Sequence, residues 1–469
     1  MQSDLADYCV DFALSKGASY AEARLEERDS NGFLLKNGLL ESAGFDSRAG
    51  IGVRFILRNC LGFATVNRLS KEAVRETLSS SLKVTSAASR LTDCTRLASS
   101  KAVKAKDVVS CSESPSSVSA EQKTELLSHI DSAVLSSGAK ITSRYLSLSD
   151  EVVRKYYVNS EGSKIESVYP AIDFFYSFTL DANSRSGHRY WHYGDVGGYE
   201  CFKHWQLDKV VEREARGLER NLSEAKSVSG RKFDVIAGPE VVGIMVHESV
   251  GHPYEADRIL GREAAQAGES FVNPSMIGKR IGSAAASVVD DPLAKGFGRY
   301  CFDDEGVRAK RKNLVTKGVI TEFLHNRETA ASLSTASNGA SRASDYDKEA
   351  IVRMSNTFLL PGGYSEEELF SEVKNGIFIK NFQEWNIDDK RLNQKYVGSE
   401  AYFVKNGEIA SPAFQPTIEI DTPSLWKAVA ACSNKVELHA GECGKGEPMQ
   451  GIRVSMGGPH CLFKQLRLA

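Results

Sequence analysis

The alternation of apolar and polar positions divides the chain into three stretches. In the first, residues 1 to about 16 carry apolar side chains at helical spacing around Asp4, Asp7 and Asp11, which predicts an amphipathic helix. Polar-apolar segments at 21–28 and 50–57 follow, and Asn67-Arg68-Leu69-Ser70 caps a helix from 71 to about 82. Residues 79–119 are rich in Ser, Thr and Lys and broken by Pro115, as expected of a helix end and a solvated connection. The second stretch holds a helix at 121–135 and extended runs at 139–148, 152–158 and 171–181, all rich in Tyr, Phe and Val. Helical spacing resumes at 207–226, with Val210, Val211, Ala215, Leu218, Leu222 and Ala225 on one side, and Gly230 ends it.

The third stretch opens with a strand at 233–237. Gly238-Pro239-Glu240 then begins a helix, with Pro near the first turn. Beyond Leu260 the chain is Gly-rich, with short extended runs such as 314–315, 319–324, 377–382, 401–405 and 452–456 between turns like Lys317-Gly318 and Asn406-Gly407. The expected class is α+β. An N-terminal α/β region spans 1–228, with units at about 1–85 and 120–228, and a β-rich, barrel-like C-terminal domain at 229–469 receives one inserted helix.

Length and charge narrow the function. A chain of 469 residues exceeds one ordinary core, and 41% apolar residues suffice to fold it. A net charge of −2 recommends neither nucleic acid nor an anionic membrane as partner. The first residues lack the basic start and apolar centre of a signal peptide, and no run of 18 apolar residues occurs. Nine cysteines are scattered without a C-x-x-C pair, which fits reduced thiols and a cytoplasmic protein, with one thiol available as a ligand.

The most informative segment is His247-Glu248-Ser249-Val250-Gly251-His252, directly after the apolar run Val241-Val242-Gly243-Ile244-Met245-Val246. Two neutral imidazoles can hold zinc while the adjacent carboxylate takes a proton from water. Random occurrence of His-acid-x-x-x-His in a chain of this composition is about 0.02. The spacing is one residue longer than the common zincin motif. On a regular helix positions i and i+5 differ by about 140°, so the two imidazoles would point apart. Gly251 permits unusual backbone, and Pro253 lacks an amide and crowds the preceding turn. A π-type widening or a kink between 249 and 253 is therefore expected, with both rings converging. The bland alternative is a buried helix end with two satisfied core histidines.

Other residues carry weaker signals. Asp303-Asp304-Glu305 could edge a site, although a charge run in a turn is more often solvated. Arg353 or Asn356 could anchor a peptide backbone, or 353–357 could be a strand with one charged face. His188 and His192 stand among Tyr190, Trp191 and Tyr193, and a packed aromatic strand face is favoured over a binding patch. Gly441 to Lys445 lacks the full phosphate-loop pattern, so nucleotide binding is discounted.

Taken in order, these blocks resemble the TldD/PmbA metallopeptidases, in the branch that carries the metal motif, over nearly the whole chain. The resemblance rests on the His-Glu-x-x-x-His core, Glu255-Ala256-Asp257, Phe302-Asp303-Asp304-Glu305-Gly306 and Gly318-Val319-Ile320. It continues through Asn326-Arg327-Glu328-Thr329-Ala330, Arg353-Met354-Ser355-Asn356-Thr357, Cys443-Gly444-Lys445-Gly446 and Gln450-Gly451. It implies a cytosolic zinc peptidase acting on unfolded or flexible peptides, one Zn²⁺ per chain. The implied assembly is a dimer, either of two copies or with a PmbA/TldE-like subunit that lacks the motif.

The ligand set it implies is His247, His252 and Cys443, with Glu248 as catalytic base. Two imidazoles and a thiolate leave zinc a formal charge of +1 and an open fourth position, as in two-His-one-carboxylate hydrolases. Glu255, Asp257, His439 and Cys432 compete for the third ligand position, and Glu255 could instead orient an imidazole. The alternative function is a non-catalytic binding or regulatory subunit, against which the intact His-Glu-His core argues.

Overall fold

The computed structural model describes residues 2–91, 94–228, 230–263 and 269–469. Ser229, the expected start of the C-terminal domain, lies outside them. The N-terminal part is built from α1 (Ser3–Ser15), β1 (Tyr20–Lys36), β2 (Leu39–Leu57), β3 (Cys60–Val66) and α2 (Lys71–Ala88). It continues with β4 (Lys104–Val108), α3 (Ala120–Ser136), β5 (Ile141–Asn159), β6 (Lys164–Ala182) and β7 (Arg185–Asp195). Ser70 caps α2 by accepting from the Ala73 amide, and Ser119 with Gln122 forms a capping box on α3.

These strands form one sheet in the order β3-β2-β1-β5-β6-β4, with β7 also paired to β6. Both expected N-terminal units thus contribute to the same sheet, because β1 pairs antiparallel with β5 along almost its whole length. The strands extend far beyond the segments that alternate in sequence. The distal half of β2 is exposed, Leu39 and Phe45 at 72% and 67%, so ladder pairing rather than burial extends it and no hydrophobic pattern marks it. The Ser-rich connection is not wholly solvated: β4 within it pairs parallel with β6.

Two helices follow, α4 (Glu200–Trp205) and α5 (Leu207–Glu224), the latter burying Val210, Val211, Ala215, Leu218 and Leu222. It stops at Ala225, whose backbone is extended, before the expected Gly230. Then come β8 (Lys226–Ser227), β9 (Lys232–Ala237) and α6 (Pro239–Val246). The C-terminal part is β-rich. One seven-stranded sheet places β9 between the Cys461–Arg467 and Asn375–Ile379 strands, and a six-stranded sheet ends with the Asn356–Leu359, Gln450–Gly458 and Glu437–Lys445 strands. The class is α+β, as expected.

Every residue of α6 is buried. Its backbone lies directly on the Gln450–Gly458 strand, since a Cβ at Gly243 would stand 3.0 Å from the Gly457 nitrogen. The N-terminal end of α6 is tied to the N-terminal sheet by Arg189 of β7, whose guanidinium donates to both Glu240 oxygens at 2.8 Å and to Glu214 of α5 at 2.6 Å. Asp303-Asp304-Glu305 also works across this junction and is not a solvated turn. Glu305 is buried against Arg54 at 2.5 Å, and Lys155 reaches Asp304 at 3.0 Å. No helix among the described residues is long and apolar enough to cross a membrane.

Candidate metal centre

The chain after α6 does not remain α-helical. His247–Gly251 forms a π turn in which the His252 amide donates to the His247 carbonyl, and a 3₁₀ turn, His252–Tyr254, follows. A π turn holds more residues than an α turn, so the i+5 pair returns to one side. The two imidazole centroids lie 4.8 Å apart with planes at 83°. Pro253 sits in the first positions of the 3₁₀ turn, where its missing amide costs nothing. Gly251 has a different role from the one its sequence position suggested. Its φ of −55° and ψ of −72° are right-handed and open to other residues. What excludes a side chain is Met354, whose Sδ would lie 2.0 Å from a Cβ.

Cys443 arrives from the Glu437–Lys445 strand, opposite Ile452. Its Sγ is 3.4 Å from His252 Nε2, and the ligand atoms of His247, His252 and Cys443 all fall within 4.8 Å of one another. All three residues are buried. Burial alone would raise the Cys443 thiol, but the positive charges of His252, Arg353 and His247 hold it well below its ordinary range. Burial would lower His252, yet Cys443 and Glu255 push it up to about 9. One buried nitrogen of His247, Nδ1, has no hydrogen-bond partner. Two imidazoles and a thiolate converging on one point are donors that suit zinc.

The groups that competed for the third ligand position lie elsewhere. Glu255 is behind His252, with Oε2 3.0 Å from Nδ1, which turns Nε2 toward Cys443. Burial would raise the Glu255 carboxyl, but Lys445 and His252 hold it well below the usual carboxylate range. Lys445, fully buried two residues past Cys443, reaches Glu255 at 3.2 Å and Asp257 at 2.7 Å. His439 packs under Trp191, ring centroids 5.3 Å apart, and Cys432 faces Cys461 at 3.8 Å. Among the described residues, only His247, His252 and Cys443 make a cluster able to hold a metal.

Glu248 lines a cleft of about 740 Å³ with His247, His252 and Cys443. Its Oε1 accepts from Trp385 Nε1 at 3.2 Å and its Oε2 from Arg391 at 2.5 Å. Neither Trp385 nor Arg391 belongs to any motif. Both sit on or beside the hairpin between the Phe382–Ile387 and Asn393–Gly398 strands, and only the scarcity of tryptophan could have marked one of them.

Arg353 and Asn356 are fully buried and do not line the cleft. Arg353 donates to the carbonyls of Cys443 and Gln450, and so supports the ligand strand from behind. Asn356 accepts from the Gly298 amide at 3.0 Å and donates to the Asp291 carbonyl at 3.0 Å. The aromatic strand serves both readings considered for it. Trp191 is packed against Phe382, centroids 5.7 Å apart, and with Tyr190 and His192 it also lines the cleft beside His247, His252 and Cys443.

Comparison with known proteins gives first a class. The chain matches the models for PmbA/TldA metallopeptidase domain 1 over residues 21–85, the central domain over 113–222 and the C-terminal domain over 229–469. It belongs to the PmbA/TldD metallopeptidase family. Among its relatives, a metalloprotease of Methanothermobacter thermautotrophicus is 31% identical over 443 residues, covering 94% of this chain and 93% of its own. A zinc metalloprotease TldD homolog of Saccharolobus solfataricus is 27% identical over 354 residues, 74% of this chain and 76% of its own. The crystal structure of TldE from Thermococcus kodakarensis has the same fold, with a TM-score of 0.75 at 16% identity over 99% of this chain and 100% of that one.

Proposed function

We propose that the protein is a zinc-dependent peptidase that hydrolyses unfolded or flexible peptides, with His247, His252 and Cys443 holding one zinc per chain. The observation that carries the reading is the convergence of these three donors beside Glu248 in an aromatic cleft. Bound there, zinc would polarise the scissile carbonyl and acidify a water. Glu248 takes the water proton and returns it to the leaving amine. Trp385 and Arg391 fix the Glu248 rotamer through one oxygen each, and each oxygen keeps a second lone pair that can accept the proton. Glu255 orients His252, and Arg353 holds the Cys443 backbone.

The Glu437–Lys445 strand lies at the end of its sheet, and Ala440, Gly441 and Gly444 of this strand border the cleft. An extended peptide can pair with that free edge through main-chain hydrogen bonds, which gives weak sequence preference. A dimer with a second copy or a TldE-like subunit, and a reducing cytoplasmic setting for nine free cysteines, complete the reading.

Elemental analysis and a peptide-cleavage assay on the wild type and Glu248→Gln test it together. Both proteins should hold about one zinc, while cleavage by the variant falls by about two to four orders of magnitude. Near wild-type turnover in Glu248→Gln, or cleavage that survives complete metal removal, overturns it.

A further inference from the structure

A second, strongly charged chamber of about 110 Å³ lies between the N-terminal sheet and the C-terminal part. Arg24, Arg28, Lys155, Arg299, Arg342 and Arg453 face it. Its carboxylates are fewer and already committed. Glu151 is bound by Arg453 at 2.7 Å and Arg28 at 3.1 Å, and Asp304 by Lys155 at 3.0 Å. Asp303 accepts the amides of Glu305, Val307 and Ser341 at 2.8 to 3.1 Å. Glu26, behind the wall, contacts Arg28 and Lys155.

Two arginines are left over. Arg299 and Arg342 have no ion-pair partner among the described residues. Arg342 donates to the Met354 carbonyl at 2.7 Å and lies over the Tyr300 ring at 5.0 Å, and Arg299 has only a 3.9 Å contact to Cys301 Sγ. Burial, with the like charges of Arg353 and Arg453, lowers the pKa of Arg342 although Tyr300 and Asp304 oppose the shift.

The chamber neighbours the cleft of the candidate metal centre through a third cavity whose walls both share. Ser149, Asp173 and Glu442 line both the cleft and an adjoining cavity of about 200 Å³. That cavity in turn shares Arg28, Glu151 and Arg453 with the chamber. Arg453 is the cross-strand partner of Glu442, one residue from Cys443. A peptide lying along the Glu437–Lys445 edge would therefore lead toward guanidinium groups whose planar donors match a carboxylate.

We propose that this chamber is an anion subsite of the peptide cleft, taking a carboxylate of the bound peptide. It rests on the peptidase reading. The carboxylate comes either from the peptide's C-terminus or from an acidic side chain, and both present the same chemistry to Arg299 and Arg342.

The test is isothermal titration of the full chain carrying Glu248→Gln and loaded with zinc, so that peptides bind without being cut. The probes are unstructured ten-residue peptides ending in a free acid or an amide, each with an internal Glu or Gln. One of the two carboxylates should tighten binding by about tenfold, the gain of a charge-assisted bidentate contact, and salt should erode that gain. Arg342→Met and, separately, Arg299→Met should bring the carboxylate peptide to the affinity of the carboxylate-free one. Arg299 makes no strong contact in the fold, so its variant serves if Arg342→Met fails to fold. Equal affinity for all four peptides overturns the subsite and leaves the peptidase reading standing. If no peptide binds, both fall.

Discussion

Replacing Gly251 by alanine separates two reasons for a glycine before the second histidine. Backbone strain is not one of them, because φ −55° and ψ −72° suit alanine. The added Cβ would lie 2.0 Å from Met354 Sδ, 3.2 Å from its Cε and 3.4 Å from its Cγ. Ordinary carbon contacts are about 3.5–4.0 Å, so the sulfur must retreat by roughly 1.5 Å or the π turn must move. Met354 is fully buried and has no solvent to swing into. Overpacking of this kind costs about 1–3 kcal/mol, and any share taken up by the turn displaces His252 from Cys443.

Chemical denaturation and zinc titration of Gly251→Ala, Met354→Ala and the double variant measure this. Met354→Ala alone should cost about 2–5 kcal/mol through the cavity it leaves. In that background Gly251→Ala should cost less than half of what it costs in the wild type, a coupling of at least about 0.5–1.5 kcal/mol. An equal cost in both backgrounds would refute the packing argument and return the glycine to a backbone role.

Cys443→Ser should fold and lose most of its bound zinc, as read by metal analysis after dialysis; full retention would remove Cys443 from the ligand set. Glu255→Gln should keep the cluster but weaken zinc by about 10–100-fold, measured by competition with a chromogenic chelator, because His252 loses its carboxylate acceptor. Lys445→Met strands the buried carboxylates of Glu255 and Asp257 and should cost about 3–5 kcal/mol in denaturant unfolding; a loss under 1 kcal/mol would mean that the pairing contributes little.

What sequence could reveal divides along the range of the interaction. The π turn was legible because its causes are local: one residue more than a helix allows between two histidines, and a proline just after. The reason for Gly251 was not, because Met354 is about a hundred residues away. The cap of α2 was legible in Ser70, whereas the exposed half of β2 was not, since its order comes from pairing with β1 and not from a buried face. Asp303-Asp304-Glu305 looked like a solvated turn because Arg54 and Lys155, which neutralise it, belong to the other half of the molecule. Trp385 and Arg391 escaped for the same reason: nothing next to them in sequence says that their partner is Glu248.

The three proposed ligands come with charged neighbours, and those neighbours bind each other. Glu255 follows His252 by three residues and Lys445 follows Cys443 by two, and the carboxylate and ammonium meet at 3.2 Å with both side chains fully buried. The helix bearing the histidines and the strand bearing the cysteine are therefore clamped by an ion pair beside the cluster, whether or not a metal joins them. Arg353 adds support to the strand by donating to the carbonyls of Cys443 and Gln450. Were a metal to bind at the proposed site, such clamping would leave less of the binding free energy to be spent on ordering the ligands. The weak sequence signals Glu255-Ala256-Asp257 and Cys443-Gly444-Lys445-Gly446 then have one physical origin: they are the two halves of a single buried charge network that fixes where Cys443 meets the imidazoles.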